Sequence, residues 1–556
     1  MRIVEASAAV FNDVVDVVRA AIDLGAKSRC GGRRTSGENR LVRWAMLRPA
    51  LPRAIVEDLA SAIRAGEDPL GEALQRLHDR SKRRSTGMFY TPTALVEPMV
   101  TWMLEQHPEL VIDPGCGSGR FAAAVARRSP GTAVLAIDKN PAATLVARAV
   151  LATLAPERWT VRHADFLTMS RDMIPRTGQM RVGWLGNPPF VRHHEVSRRA
   201  KERGLEVALE TEHHSNLNAG LHLLFFAKTK TLALGGDVGC YVTSAEWLDN
   251  RTGGLVRELF LNGLGGTGVT VIEPKTFTFT AVKTTAALTQ FVIGQHDTPK
   301  RIALGVPVAE VPRHLAGEGG VVIARERLEA ARGWTHAARN PHAVDDHGPT
   351  IGDLFRVTRG TATGSNEFFA LTPDRAKVLG VAKYGVPTVT RAEDIIAANG
   401  VLWRRPDLKI VLNIPKTLRR QDDPALDAYL KTGERSDEQG LVVSAGSNAQ
   451  KRNPWWVLNV ARPPIVATYM ARRPPAFARN PDQLGILNIA IGLTPKVPMS
   501  EEQMRTAVDA LNAAAPTYEG HAVTYFGDLK KFEPRTLASL PLPASLCAFL
   551  PATTTK

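Results

Sequence analysis

The sequence predicts an α/β protein with an open, mostly parallel central sheet, a small helical region before it and a mixed α+β domain after it. Between residues 86 and 297, short apolar runs alternate with helix-forming runs, as in parallel sheets with helical crossovers. Before residue 85, apolar residues recur at helical spacing. After residue 346, many Gly and Pro turns interrupt the sequence. The 556 residues suffice for about three to four domains.

Charge and cysteine content limit the partners and the compartment. The net charge of +15 favours a polyanionic partner such as nucleic acid, although a generally basic proteome would give the same charge. None of the four cysteines is paired at metal-ligand spacing, so a reducing cytoplasm fits best. There is no signal-peptide core and no run long enough to span a membrane. We therefore expect a cytoplasmic protein with no membrane partner.

Residues 1–85 predict a small helical domain or lid. Three apolar stripes at helical spacing support it: Val14, Val15, Val17, Val18 and Ile22; Ile55, Leu59 and Ile63; Leu70, Leu74 and Leu77. The Gly- and Arg-rich stretch 30–37 predicts a loop. The basic run at 79–84 is typical of a solvated helix end and could also contact a phosphate backbone.

Residues 86–297 predict the α/β domain element by element. Strands are expected at 111–113, 133–137, 159–163, 182–185, 238–244, 269–272 and 284–293. Helices are expected at 121–126, 145–154, 220–234 and 254–262. Residues 298–345 are rich in Pro, Gly, Arg and His and predict a connector with one strand at 301–304. Residues 346–556 predict a second large domain.

The stretch Asp113-Pro-Gly-Cys-Gly-Ser-Gly follows a strand and precedes a helix, as a ligand-binding loop does. Gly115, Gly117 and Gly119, with Cys116 between the first two, let the backbone approach a ligand closely. The spacing departs from G-x-G-x-x-G and suits a ligand without a pyrophosphate. Asp113 can oppose the amino group of a methionine moiety. The sequence therefore favours an S-adenosylmethionine loop here over a glycine turn that binds no ligand.

Two further strand ends carry carboxylates. Asp138 ends the next strand, where a carboxylate can accept both hydroxyls of a ribose. Asp165 follows the third strand and could accept from an adenine amino group, while Phe166 could cover the ring. Either aspartate alone would more often be a cap or turn residue, but three carboxylates in strand-end register favour a cofactor site.

Upstream, Tyr90, Thr91 and Pro92 precede an apolar helical stripe. Alone they predict a turn and a helix start. Beside a methionine-binding loop, they could close over the carboxylate of the cofactor.

The stretch Asn187-Pro188-Pro189-Phe190 predicts the catalytic loop. The Asn187 side-chain carbonyl and the Pro188 backbone carbonyl can accept from the two N–H groups of an exocyclic amine, and the prolines fix the backbone. Such acceptors would localise the nitrogen lone pair and orient it, so catalysis would rest on positioning and electrostatics. Phe190 offers a stacking face.

A base in a duplex can reach such a loop only if it is flipped out. A second aromatic would then sandwich it, and Phe277 and Phe279 are both candidates; either could instead be core. The histidine pairs at 193–194 and 213–214 lack accompanying carboxylate or cysteine ligands, so we expect no metal.

The order of these motifs resembles the gamma-class DNA adenine-N6 methyltransferases of type II restriction-modification systems. The resemblance rests on residues 89–92, 113–119, Asp138, 165–166 and 187–192. It implies a Rossmann-like class I methyltransferase domain at 86–297, S-adenosylmethionine as cofactor and flipping of a target adenine in double-stranded DNA. It also implies that 346–556 is a target-recognition domain, which would open at 351–369 and end at 530–543. Residues 1–85 fall outside the resemblance.

Basic and aromatic residues in the C-terminal half fit DNA contact. They are Arg452, Trp455, Trp456, Arg462, Tyr469, Arg472, Arg473 and Arg479. Collectively the arginines favour phosphate or base-edge contacts, while each tryptophan is more typical of a core. No Glu-x-Lys occurs before residue 86, so we expect no nuclease in this chain, and a separate restriction endonuclease stays open as a partner.

Two alternatives remain at this point. RNA guanine-N2 methyltransferases use the same Asn-Pro-Pro-Phe loop and protein-glutamine methyltransferases a close relative of it, but both are usually shorter. A non-catalytic DNA-binding specificity subunit is the other alternative, and the intact loop argues against it.

Overall fold

The computed structural model describes residues 11–28, 31–77, 91–189, 202, 206–207, 220–274, 276, 285–331, 333–341, 348–436, 442–446, 448–525 and 529–551. The chain divides into two compact units, Met1–His342 and Ala343–Lys556. Within the described residues, no helix is long and apolar enough to cross a membrane.

The first unit combines helices with one large sheet. Its helices are α1 (Val14–Asp23), α2 (Ser36–Ala45), α3 (Arg53–Ala65), α4 (Pro69–Leu77), α5 (Thr93–Glu105), α6 (Arg120–Arg128), α7 (Pro141–Leu154), α8 (Leu221–Leu232), α9 (Gly254–Glu258), α10 (Val311–Leu315), α11 (Arg325–Ala330) and α12 (Trp334–Arg339). Its strands are β1 (Leu110–Pro114), β2 (Ala133–Asp138), β3 (Trp159–His163), β4 (Val182–Gly186), β5 (Val238–Ser244), β6 (Gly266–Ile272), β7 (Ala286–Val292), β8 (Lys300–Val306) and β9 (Val321–Ile323). The alternating α/β pattern expected for 86–297 is confirmed.

The sheet has the strand order β3-β2-β1-β4-β5-β7-β6-β8-β9. Strands β1 to β5 pair in parallel, and β7 lies antiparallel between β5 and β6. Buried apolar side chains lie on both faces of the parallel strands, under helices on either side. This explains why these strands are short continuous apolar runs in the sequence.

Residues 298–345 were expected to be a connector with one strand, but they add two strands to the sheet. Residues 298–345 supply β8, which pairs in parallel with β6, and β9, which pairs with β8. Ile302, Ala303 and Val306 are buried against the rest of the sheet. The strand expected at 301–304 is confirmed as part of β8, whereas the Pro- and Gly-rich composition, which marks the turns, concealed β9.

The N-terminal region is helical, as predicted, but it adds one helix to the three expected. Helix α2 begins within the stretch that the sequence suggested was a loop. A capping box explains its start: the Thr35 hydroxyl accepts from the Glu38 backbone, and the Glu38 carboxylate accepts from the Thr35 backbone. Helices α1 to α4 share one apolar core with helix α7 of the α/β layer.

A fully buried ion pair joins this N-terminal region to helix α7. Arg148 Nε donates to Glu38 Oε1 at 2.9 Å, and both side chains are 0% exposed. The Arg148 guanidinium also donates to the carbonyls of Gly31 at 2.7 Å and Val161 at 2.7 Å. Glu38 Oε1 accepts further from Thr144. Because these charges are buried, their hydrogen bonds are needed to offset the loss of solvation.

The second unit contains three small sheets. Its helices are α13 (Ile351–Leu354), α14 (Asn366–Phe369), α15 (Pro373–Val378), α16 (Ala392–Ile396), α17 (Pro424–Thr432), α18 (Glu501–Tyr518) and α19 (Pro534–Ala538). Its strands are β10 (Phe355–Arg359), β11 (Ala370–Leu371), β12 (Gly385–Val389), β13 (Ile410–Leu412), β14 (Ile465–Thr468), β15 (Met470–Ala471), β16 (Phe477–Arg479), β17 (Gly485–Ile486), β18 (Ala490–Pro495), β19 (Val523–Tyr525) and β20 (Leu529–Lys531). The sheets are β10-β18-β14-β16, β11-β13-β12-β17 and β15-β20-β19. This mixed α+β content agrees with the expectation for 346–556.

Arg148→Met should lower the free energy of unfolding by about 3–5 kcal/mol, because Glu38 would stay buried without its partner. Urea unfolding followed by circular dichroism measures this. Arg53→Met is the matched control, since the Arg53–Glu57 pair is 92% and 62% exposed and should contribute no more than about 1 kcal/mol. Equal effects from the two variants would contradict a stabilising role of the buried Glu38–Arg148 pair.

Candidate active site

Two of the predicted motifs meet where the strand order reverses. The chain proceeds from β1 to β2 and β3 on one side, and then to β4 and β5 on the other. Strand β1 pairs in parallel with β4, with Ile112 opposite Trp184. The loops after β1 and β4 therefore leave the same edge of the sheet, where open α/β sheets bind ligands.

The loop after β1 is a tight turn held by backbone hydrogen bonds. Gly115, Gly117 and Gly119 have φ angles of 74°, 56° and 88°, in the left-handed region that glycine tolerates. The amides of Gly115 and Cys116 both donate to the Ile137 carbonyl, at 2.7 and 2.9 Å. The Cys116 side chain is buried, which raises the pKa of its thiol. The loop thus presents backbone rather than a reactive sulfur.

Asp113 is the most distinctive charged group of the site. It is 1% exposed; its Oδ2 accepts from the Ala122 amide at 3.4 Å, and its Oδ1 has no hydrogen-bond partner among the described residues. A Cβ placed on Gly186, at the end of β4, would lie 3.0 Å from this Oδ1. Burial raises the pKa of Asp113 to about 8, and the charge of Asp138 adds to the effect.

Asp138 ends β2 and connects it to the glycine loop. Its Oδ2 accepts from the Gly117 amide at 2.9 Å, and its Oδ1 accepts from the Asn140 amide at 2.8 Å. Burial raises the pKa of Asp138, while these two amides act in the opposite direction. The carboxylate thus lies at the carboxyl edge, fixed in orientation, where the sequence predicts contact with a ribose.

At the third strand end, Asp165 is a helix cap, and the contacts of Asp165 and Phe166 with an adenine ring stay predictions. Asp165 Oδ1 accepts from the Leu167 amide and caps a short 3-10 helix, Phe166–Thr168. Phe166 is 3% exposed, and its ring centroid lies 4.9 Å from that of Phe225 and 6.3 Å from that of Trp184. Phe166 therefore packs in the core beneath the sheet edge, because aromatic neighbours on α8 and β4 enclose it.

The predicted catalytic loop lies beside the glycine loop. A Cβ placed on Gly115 would lie 3.5 Å from Pro189 and 3.5 Å from Phe225. Asn187 and Pro188 follow β4 directly, and Pro188 is buried. The structure thus brings the first three residues of the predicted catalytic loop to the predicted cofactor loop.

The upstream motif also reaches this edge. Thr91 is buried, and its carbonyl accepts from Arg120 Nη1 at 3.1 Å. Pro92 is the N-cap of α5. Tyr90, Phe190, Phe277 and Phe279 lie outside the described residues, as do the two predicted histidine pairs.

Sequence reasoning missed two residues beside the glycine loop, Asp68 and Arg120. Asp68 precedes α4, and its carboxylate accepts from Ser118 and from Arg120. Asp before Pro69 is a recognisable helix-start signal. Nothing in the local sequence, however, indicates a partner about fifty residues away.

Within the described parts of the chain, no three His, Cys, Asp or Glu side chains gather as a metal site would require.

Two family models match the chain. One, described as the C-terminal domain of the type II methyltransferase M.Eco57I, matches residues 339–553. The other, described as the methyltransferase small domain, matches residues 95–216. The second match contains both the glycine loop and the Asn187 loop.

Curated relatives extend the similarity over most of the chain. The type II methyltransferase M.XamI of Xanthomonas campestris pv. amaranthicola is 33% identical over 86% of this chain and 87% of its own length. The type II methyltransferase M.AccI of Acinetobacter calcoaceticus is 21% identical over 85% of this chain and 89% of its own. A release factor glutamine methyltransferase of Gloeobacter violaceus is 34% identical over only 19% of this chain and 35% of its own.

The site residues fit S-adenosylmethionine, the cofactor of this class. The unpartnered Asp113 Oδ1 suits the cationic amino group of the methionine moiety, which would compensate the buried carboxylate. The oriented Asp138 carboxylate suits a ribose.

Asp113→Asn should weaken S-adenosylmethionine binding about tenfold or more while stabilising the free protein in alkaline solution. In the folded protein the pKa of Asp113 is about 8 instead of 3.8. Between these values the unfolded chain has lost a proton that the folded chain keeps, so this group destabilises the fold progressively as pH rises to about 8. An asparagine cannot ionise and avoids that cost.

Thermal unfolding at pH 6 and pH 9, with and without the cofactor, measures both effects. Without cofactor, the midpoint of the variant should exceed that of the wild type by more at pH 9 than at pH 6. Adding the cofactor should raise the midpoint less for the variant than for the wild type. A variant that binds the cofactor normally would contradict the role of Asp113.

Proposed function

The chain belongs to the type II methyltransferase family, and from that premise we propose that it is a site-specific DNA adenine-N6 methyltransferase. It would use S-adenosylmethionine, act on double-stranded DNA and serve as the modification component of a restriction-modification system. The observation that carries this proposal is the position of Asn187, Pro188 and Pro189 beside the glycine loop. A separate restriction endonuclease is a further expected partner.

S-adenosylmethionine supplies an electrophilic methyl group on a sulfonium when it is bound. The protein residues would hold the cofactor and orient it toward the base. Asp113 would accept from the amino group, and Asp138 would accept from the ribose hydroxyls. Both carboxylates leave the same edge of the sheet as the Asn187 loop, so the cofactor would lie between them and the incoming base.

Asn187 and Pro188 would prepare the nucleophile. Adenine N6 is a weak nucleophile because its lone pair is delocalised into the ring. The Asn187 side-chain carbonyl and the Pro188 backbone carbonyl would each accept from one N–H of this amine. Because the two prolines restrict the backbone, these acceptors are already in place before the base arrives. Phe190 would stack on the extruded base, with Phe277 or Phe279 as the second ring.

The C-terminal unit would read the DNA sequence. Its match to the C-terminal domain of a type II methyltransferase supports this assignment. Arg462, Arg472 and Arg473 are exposed at the surface of this unit, where they would contact a phosphate backbone or a base edge. Arg452 and Arg479 instead serve the fold of this unit: Arg452 donates to the Thr363 carbonyl, and Arg479 pairs with a glutamate.

The extent of similarity favours this function over the two alternatives. The relatives similar over most of the chain are type II methyltransferases, whereas the glutamine methyltransferase matches about a fifth of it. A non-catalytic subunit would have no need of Asp113, a buried carboxylate with one unpartnered oxygen beside the catalytic loop.

Asn187→Ala should reduce methyl transfer to duplex DNA by about 10²- to 10³-fold, as expected when one oriented hydrogen-bonding group is removed from an active site. DNA affinity should stay unchanged. Transfer of a labelled methyl group, followed by mass spectrometry of the nucleosides, measures the rate and identifies the product. The matched control is Asn12→Ala, since Asn12 is exposed in the N-terminal region.

The product distinguishes the hypotheses. N6-methyladenine at one consistent DNA sequence supports the proposal. Methylguanine in RNA, or binding to DNA with no methyl transfer by the wild type, would contradict it.

A further inference from the structure

The Asp68 carboxylate makes two different sets of hydrogen bonds. Its Oδ1 accepts from the Gly71 amide at 3.0 Å and so caps the start of helix α4. Its Oδ2 accepts from Ser118 Oγ at 2.5 Å and from Arg120 Nε at 2.6 Å. One side chain of the N-terminal region thus contacts both its own helix and the glycine loop.

These contacts hold the glycine loop from a second side. Asp138 accepts from the amide of Gly117, and Asp68 accepts from the hydroxyl of the next residue, Ser118. Ser118 is 1% exposed, and the side chains of Asp68 and Arg120 are 11% and 19% exposed. Burial from water makes charge-assisted hydrogen bonds of this kind stronger than their surface counterparts.

Arg120 connects Asp68 to the upstream motif at residues 91–92 as well. Besides Asp68, it donates from Nη1 to the Thr91 carbonyl at 3.1 Å and from Nη2 to Glu72 at 3.4 Å. Thr91 belongs to the upstream motif that the sequence predicts to lie over the cofactor. The Asp68 carboxylate is therefore linked to two predicted cofactor segments, directly to the glycine loop through Ser118 and indirectly to Thr91 through Arg120.

We propose that Asp68 is a positioning residue for the cofactor loop, and that the helical region 11–77 is a working part of the S-adenosylmethionine site. Asp68 would act through these protein contacts and not by binding the cofactor itself. It fixes Ser118 and Arg120, and through them the backbone of residues 115–119. The proposal rests on the cofactor assignment, and it is independent of which base is methylated.

Gly71 gives this proposal a selective test. A Cβ at residue 71 would lie 2.1 Å from Asp68 Oδ2 and 2.5 Å from both Cγ and Oδ1. Gly71→Ala should therefore displace the carboxylate without changing its charge. Alanine is also a much better helix former than glycine, so a purely local effect on α4 would favour the helix.

The experiment is calorimetric titration of the full-length protein with S-adenosylmethionine. We expect Asp68→Asn and Gly71→Ala each to raise the Kd about tenfold, because each removes or displaces a charge-assisted acceptor. Ser118→Ala should give a smaller increase, since it removes one of the two contacts. Glu72→Gln is the matched control, because its contact with Arg120 is long and its side chain is 46% exposed.

DNA affinity, measured by fluorescence anisotropy, separates positioning from general damage. Under the proposal it stays at the wild-type value in all variants. If Asp68→Asn and Gly71→Ala both bind the cofactor with wild-type affinity, the positioning proposal is overturned, while the cofactor assignment is unaffected. Equal losses of cofactor and DNA affinity would also overturn the positioning proposal. A wild-type protein that does not bind S-adenosylmethionine would overturn the cofactor assignment as well.

Discussion

The parallel pairing of β1 with β2 on one side and β4 on the other is the constraint on which the site depends. Parallel neighbours end at the same edge, so Asp113, Asp138 and Asn187 leave the sheet together although they span 75 residues of sequence. The glycines after β1 then allow the backbone to turn sharply within this edge. The proposed transfer from a methyl donor to an acceptor amine needs that proximity, and the sheet supplies it before either is bound.

The N-terminal helices add a second set of constraints to this edge. The buried Glu38–Arg148 pair attaches them to helix α7, and Thr35 hydrogen-bonds to His163 at the end of β3. Through Asp68 the same region reaches the glycine loop. A region that the motif order leaves unassigned therefore contacts the candidate site at its glycine loop and the α/β layer at helix α7 and strand β3.

Sequence patterns predicted most of the α/β layer because its signals are local. The strand at 159–163 and the strand at 238–244 have the predicted bounds, and the glycine loop lies where a strand meets a helix. Helix α2 was missed although its capping box, Thr35 to Glu38, is recognisable from the sequence. Strand β8 was predicted at 301–304, but β9 was missed because turn residues dominate the composition around it. The contacts of Asp68 with Ser118 and Arg120 could not be predicted, since they depend on how α4 packs and on no local pattern.

A crystal structure of the protein with S-adenosylmethionine bound tests the central claim most directly. The amino group of the cofactor should lie within about 3.2 Å of Asp113 Oδ1, its ribose hydroxyls should contact Asp138, and its methyl group should face Asn187. A cofactor bound away from the carboxyl ends of β1 and β2, or with its methyl group directed away from Asn187, would contradict the account.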